Sequence, residues 1–223
     1  MTLSHLSFSD WIEHAFSHEV RVHGNAWFFD MDAPWWDPAP GVAVDYLTRL
    51  FAAPIPALQW FSDAQIAQGL TCLMNTSASG DSGWLYCRDV PAAERQRCVQ
   101  AIADLFEQIF ALRGAPVLSH IDEPGGNALN IPCYMWFDVM PSVALADDPD
   151  RDGLHRAMLA TMERILALEN IACQEAALHG LGHWAAAYPG KVRETIEVYL
   201  HADTGRRADL SAYARAAPCG CVQ

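Results

Sequence analysis

The stretch "AAERQRCVQAIADLFEQIFALRG", residues 92–114, decides the fold. Cys98, Ile102, Leu105, Ile109 and Leu112 recur at steps of three and four, with Phe106 and Phe110 beside them. Residues so spaced share one face of an α-helix. Pro91 suits the first turn and Gly114 the end. Working outward, the same period covers roughly 9–20, 41–53, 62–76, 129–140, 152–169, 171–187, 190–202 and 207–217. No period-two alternation interrupts it. Glycine and proline fall between the patterns, as in "AAPIPA" and "RGAPVL", where they punctuate helices. The expectation is an all-α chain, more than half helical.

Composition bounds the rest. The chain has 223 residues, 52% of them hydrophobic and 18% charged, which is enough apolar material for a packed core. The net charge is −13. A chain this acidic repels phosphate backbones, so no nucleic-acid partner is expected. A basic protein surface or a cation fits the charge better. The first residues, "MTLSHLSFSDWIEH", hold neither a basic nor an apolar leader segment, and no run of about 18 apolar residues occurs. No membrane association is expected. The seven cysteines are scattered, with no CxxC pair. They read as reduced thiols of a cytoplasmic protein.

Two segments resist the helical scheme. Residues 21–40 carry Trp27, Phe28, Phe29, Trp35 and Trp36 among Asp30, Asp32 and Asp37. Residues 114–128 form a long loop around a Gly-Gly pair. Loops of that length are often functional, although both segments also read as covers over helix ends. The organisation expected is one elongated domain, 1–223. In it, residues 1–40 supply a first helix and a Trp-rich cover, and 41–223 supply helical repeats.

The repeats rest on internal likeness. Aligning Gly69-Leu70 with Gly180-Leu181 matches Gln68 to His179 and Cys72 to His183. Cys133 lies 47 positions before Gly180. Each helix offers a small residue where another helix must come close. The run "QEAALHGLGHWAAAYPGKVRETIEVYL" resembles a HEAT-type second helix, a turn and the next first helix, over about 150–217. The resemblance implies an α–α superhelix of antiparallel helix pairs whose concave face docks a protein.

The stretch "NIACQEAALHGLGHW", residues 170–184, carries the candidate chemistry. Cys173, Ala176, Ala177, Gly180, Leu181 and Trp184 cluster on one side of a helical wheel. Glu175, His179 and His183 form a separate stripe at steps of four. Three readings stay open. The stripe is a hydrogen-bonded ladder, a divalent-metal site completed from elsewhere, or a general acid–base pair. It is not the HExxH metalloprotease motif, because Gly180-Leu181-Gly182 separates the histidines. A second stripe, Asn130, Tyr134 and Asp138, is also spaced by four. If both stripes border one groove, Asn130, Tyr134, Asp138, Glu175, His179 and His183 form a partner- or ligand-binding surface. The leading reading is then a non-enzymatic module docking a basic protein, as an inhibitor or immunity protein would. The alternative is a metal protein or hydrolase-type enzyme working from Glu175, His179 and His183. A groove-facing stripe further implies that His179→Ala costs under about 1.5 kcal/mol.

Overall fold

The computed structural model describes residues 2–3, 5–21, 23–140, 146–202 and 205–222. Helices hold 65% of the chain, so it is all-α. In order come β1 (Thr2–Leu3), α1 (Phe8–Phe16), a 3-10 turn at Trp27–Phe29 and β2 (Trp35–Trp36). Then follow α2 (Pro40–Ala52), α3 (Pro54–Leu58), α4 (Asp63–Met74) and a 3-10 segment at Asp81–Tyr86. The fold-deciding stretch forms α5 (Ala92–Leu105), a π-helical turn at Phe106–Phe110 and α6 (Ala111–Arg113). The second half holds a 3-10 turn at Ser119–Ile121, then α7 (Asn130–Tyr134) and α8 (Trp136–Val139). The last helices are α9 (Arg151–Leu166), α10 (Ile171–Trp184), α11 (Pro189–Ala202) and α12 (Ala208–Ala216). The two strands make one short parallel pairing, Thr2 with Trp35 and Leu3 with Trp36.

Local chemistry sets the helix ends. Ser7 and Asp10 form a capping box on α1, and Ser62 and Gln65 another on α4, each satisfying orphan N–H groups of a first turn. Asn170 works in two directions. Its side-chain oxygen accepts from the Ala172 N–H at 2.9 Å, which caps α10. Its amide NH2 donates to the carbonyls of Ala111 and Gly114 at 3.2 and 3.1 Å, which closes the C-terminal end of the long helix. One side chain therefore ties the start of α10 to the end of α6.

The stretch 129–140 departs from the single helix expected. It breaks at Met135, whose φ of −79° and ψ of 1° leave the helical region, so α7 and α8 are separate short helices. Packing accounts for the break: Trp136 and Phe137 both turn inward. Trp136 meets Phe51, Phe106 and Phe110 at ring separations of 5.7 to 5.9 Å. Phe106 and Phe110, the two ends of the π turn, are its rings in this cluster.

Helices α2, α5, α9 and α10 pack in series, each against the next. On its other sides α10 meets α7, α8 and α12. Its only exposed residue is His183. Close approach requires two of the glycines. A Cβ at Gly69 would lie 2.8 Å from the Ala15 carbonyl oxygen and inside the Phe16 ring contact, so α1 crosses α4 there. A Cβ at Gly180 would lie 2.7 Å from both Met162 Sδ and Phe137 Cγ. Among the described residues, no helix is long and apolar enough to cross a membrane.

Candidate metal centre

The site is built where α8 and α12 lie against the buried helix α10. Three side chains converge on it: Asp138, His179 and His183. Their ligand atoms all lie within 4.8 Å of one another. The Nε2 of His179 lies 2.8 Å from Asp138 Oδ2, and the Nε2 of His183 sits against Oδ1 of the same carboxylate. The two Nε2 atoms are 3.1 Å apart. The i, i+4 spacing stacks the histidines on one helix face, and the break at Met135 turns Asp138 of α8 toward them.

Around this triangle runs a second layer. Nδ1 of His179 is 2.7 Å from the Tyr213 hydroxyl, which in turn lies 3.3 Å from the Tyr134 hydroxyl. The Tyr134 ring packs on the His179 ring at 4.7 Å. His120 stacks on Tyr213 at 4.2 Å. Glu175, fully buried, accepts from the Ser119 and His120 backbone N–H groups at 2.8 and 2.9 Å and bonds the His120 ring through Nδ1. Burial pushes the His179 imidazole below its ordinary value, and the neighbouring His183 adds to this, while Asp138 opposes it. Burial also pushes the Tyr134 and Tyr213 hydroxyls up. Both shifts favour a neutral His179 imidazole and an intact Tyr213 hydroxyl at neutral pH.

With Asp138 ionised, the protons of this triangle conflict. Each Nε2 faces a carboxylate oxygen, which only accepts, so each should carry hydrogen. Two N–H groups would then point at one another across 3.1 Å. Removing one of those protons relieves that contact but aims a nitrogen lone pair at the carboxylate. A cation in the centre removes both conflicts, because it is bound by lone pairs alone.

The residues expected from the sequence divide into three groups. Asp138, His179 and His183 come together as one donor set, with Tyr134 in the surrounding layer. Glu175, read as the third ligand of the stripe, is committed instead to the 119–121 turn and His120; the carboxylate beside the histidines is Asp138. Asn130 stands apart too. It is buried, accepts from the Asn127 N–H at 2.8 Å and donates to the Ala115 carbonyl at 2.8 Å, so it braces the 114–128 loop. The stripe is also less separate from the core than the wheel suggested, since His179 is only 4% exposed. The wheel places residues around one helix, whereas burial depends on how many neighbours surround it.

Two residues of the site were missed. Tyr213 sits in "LSAYARA", which carries no spacing signal, and His120 lies in a loop. In the same loop Glu123 accepts from the Leu118 N–H at 2.8 Å and pairs with Arg207 at 2.9 Å, so it braces the backbone there. No family model, curated protein or solved structure matches the chain. The HEAT-type likeness therefore stands on the quoted residues alone.

Proposed function

We propose that this chain is a metal protein in which Asp138, His179 and His183 hold one divalent cation of the zinc type. The observation that supports this most directly is the convergence of one carboxylate and two Nε2 atoms within 4.8 Å. In tetrahedral coordination, metal–ligand bonds of about 2.0–2.1 Å put ligand atoms roughly 3.3 Å apart. The His–His edge of 3.1 Å and the His179–Asp138 edge of 2.8 Å must open by a few tenths of an ångström, and the closer His183–Asp138 edge by more, which rotation of the half-exposed His183 side chain allows. Tyr213 fits the role of an orienting neighbour. With Nε2 on a metal, Nδ1 of His179 would carry the proton and donate to the Tyr213 oxygen, and Tyr213 would donate its O–H to the Tyr134 oxygen. Three protein ligands leave a coordination position for water or substrate, the arrangement that hydrolytic zinc sites share. The His183 side chain, 44% exposed, marks the solvent side of the site. His120, oriented by Glu175, supplies a further imidazole beside Tyr213.

The test is metal affinity of untagged, chelator-stripped protein, measured by competition with a chromophoric zinc chelator. One equivalent should bind in the wild type. Asp138→Ala, His179→Ala and His183→Ala should each lose it, while Glu175→Gln should retain it. Absence of binding in the wild type at micromolar zinc, or loss in Glu175→Gln with retention in Asp138→Ala, would overturn the assignment.

A second reading, a docking module for a basic protein, has one observation in its favour. Trp60 is 84% exposed beside a groove lined by Phe8, Ile12, Pro56 and Phe61. Exposed tryptophans of this kind are frequent anchors of protein interfaces. The serial packing of α2, α5, α9 and α10 is consistent with a HEAT-like stack as its scaffold. Trp60→Ala should abolish binding of such a partner and leave zinc affinity unchanged, which separates the two readings.

A further inference from the structure

A second cavity, independent of the histidine site, lies between α1 and the tryptophan segment. It encloses about 290 Å³. Its walls are aromatic: Trp11, Trp27, Phe28, Trp35 and Trp36. Its buried polar end is Asp81.

The aromatic walls are held from behind. His18 stacks flat on Trp27 at 3.7 Å, and His14 meets the same ring edge-on at 5.3 Å. Tyr46 stacks on Trp36 at 5.6 Å, and Trp11 touches that ring at 5.9 Å. The pairing of β1 with β2 fixes the backbone of Trp35 and Trp36. Gly80 delivers the carboxylate: its φ of 77°, which favours glycine, turns the chain so that Asp81 enters the cavity. The Trp35 ring lies 3.8 Å from where a Cβ on Gly80 would sit.

Asp81 is 2% exposed. Its carboxylate accepts a long bond from Trp11 Nε1, at 3.4 Å, and a further hydrogen bond from Ser79. Among the described residues no positive charge contributes to its titration, and burial pushes its carboxyl up to about 7. The other ionisable groups on the lining do not neutralise it. His14 is pushed down by burial, Cys72 is pushed up, and Asp30 is already paired with Arg21 at 2.6 Å. A buried carboxylate without a counter-ion is costly, whereas a cation placed against it would be favoured.

The geometry points to a binding site for a methylated ammonium group, with Trp27, Trp35 and Trp36 as its cage and Asp81 as its counter-ion. The lining selects this class. A primary ammonium brings three donors and needs three acceptors. With Asp30 paired to Arg21, this cavity offers the Asp81 carboxylate among aromatic rings, which suits a cation that has methyl groups instead of N–H. The volume, just under the usual range for small-molecule pockets, fits a compact head group. Free quaternary ammonium compounds and methylated lysine side chains both present this chemistry.

The test compares choline with 3,3-dimethylbutanol, its neutral carbon analogue, by calorimetry and by tryptophan fluorescence. Choline should bind, and the neutral analogue should bind about tenfold more weakly or worse. Asp81→Asn and Trp35→Ala should each weaken choline by a similar factor while keeping the helical circular dichroism of the wild type. Trp35 is half-exposed, so its removal leaves the core intact. A trimethyl-lysine peptide serves as the second arm. Tighter binding of the peptide assigns the site to a protein side chain, and tighter binding of choline assigns it to a free small molecule. Equal affinity for choline and its neutral analogue, undiminished binding in Asp81→Asn, or no binding of either cation at millimolar concentration would overturn the proposal.

Discussion

Asp81→Asn separates the charge of a buried carboxyl from its shape, and its effect on stability can be worked from the structure. Burial pushes the Asp81 carboxyl from its ordinary 3.8 up to about 7; hydrogen bonds with Trp11 and Ser79 pull the other way without offsetting it. The folded chain therefore holds this proton more tightly than the unfolded chain does. The resulting stabilisation is complete below the unfolded value and is lost as pH rises toward 7. A difference of about 3 units, at roughly 1.4 kcal/mol each, amounts to ~4 kcal/mol in full. About 2 kcal/mol of that falls between about pH 5.5 and about pH 8. Asparagine keeps the shape and does not titrate. Its stability relative to the wild type should thus rise by about 2 kcal/mol across this window. His14, His155 and His179, all pushed below their ordinary value by burial, act in the opposite sense: their contribution is lost as pH falls. They are common to both proteins and cancel in the difference. Urea unfolding at several pH values measures it directly. Parallel pH profiles for the two proteins would refute the claim that Asp81 is held protonated by burial.

Other substitutions test the packing. Gly180→Ala pushes a methyl to 2.7 Å from Phe137 and Met162 and should cost about 1–3 kcal/mol in chemical denaturation. Gly190→Ala, at the start of α11 with nothing within 4 Å, should be neutral or stabilising by up to about 1 kcal/mol. Arg95 and Asp148, both buried, pair at 2.6 Å, so Arg95→Met strands the aspartate and should lower stability by about 3–5 kcal/mol. Leu181→Ala should cost roughly 2–5 kcal/mol. His179→Ala takes one hydrogen-bond partner from the Tyr213 hydroxyl and one from Asp138, leaving them Tyr134 and His183, so about 1–3 kcal/mol is expected, more than a groove-facing residue would give. A thermal-unfolding series that ranks His179→Ala as silent would argue against that buried network.

The helices were legible because their signal is local. Apolar residues at steps of three and four, and proline or glycine at the ends, act within a turn or two of the chain. The small residues Gly69 and Gly180 likewise announced close approach, and the structure supplies the neighbours, Phe16 in one case and Phe137 with Met162 in the other. The i, i+4 histidines were legible for the same reason. What surrounds them was not. That Asp138 completes the donor set while Glu175 turns to His120 depends on the break at Met135 and on a loop 55 residues away in sequence. Tyr213 reaches His179 across 34 residues, and Trp11 reaches Asp81 across 70. Periodicity assigns a residue to a face of its own helix; only the packing of other helices decides whether that face meets solvent, a carboxylate or the core. The sequence by itself therefore determined the helical class and the spacing of the histidines, and the tertiary structure alone decided that they meet Asp138 and that Asp81 is buried with no cation beside it among the described residues.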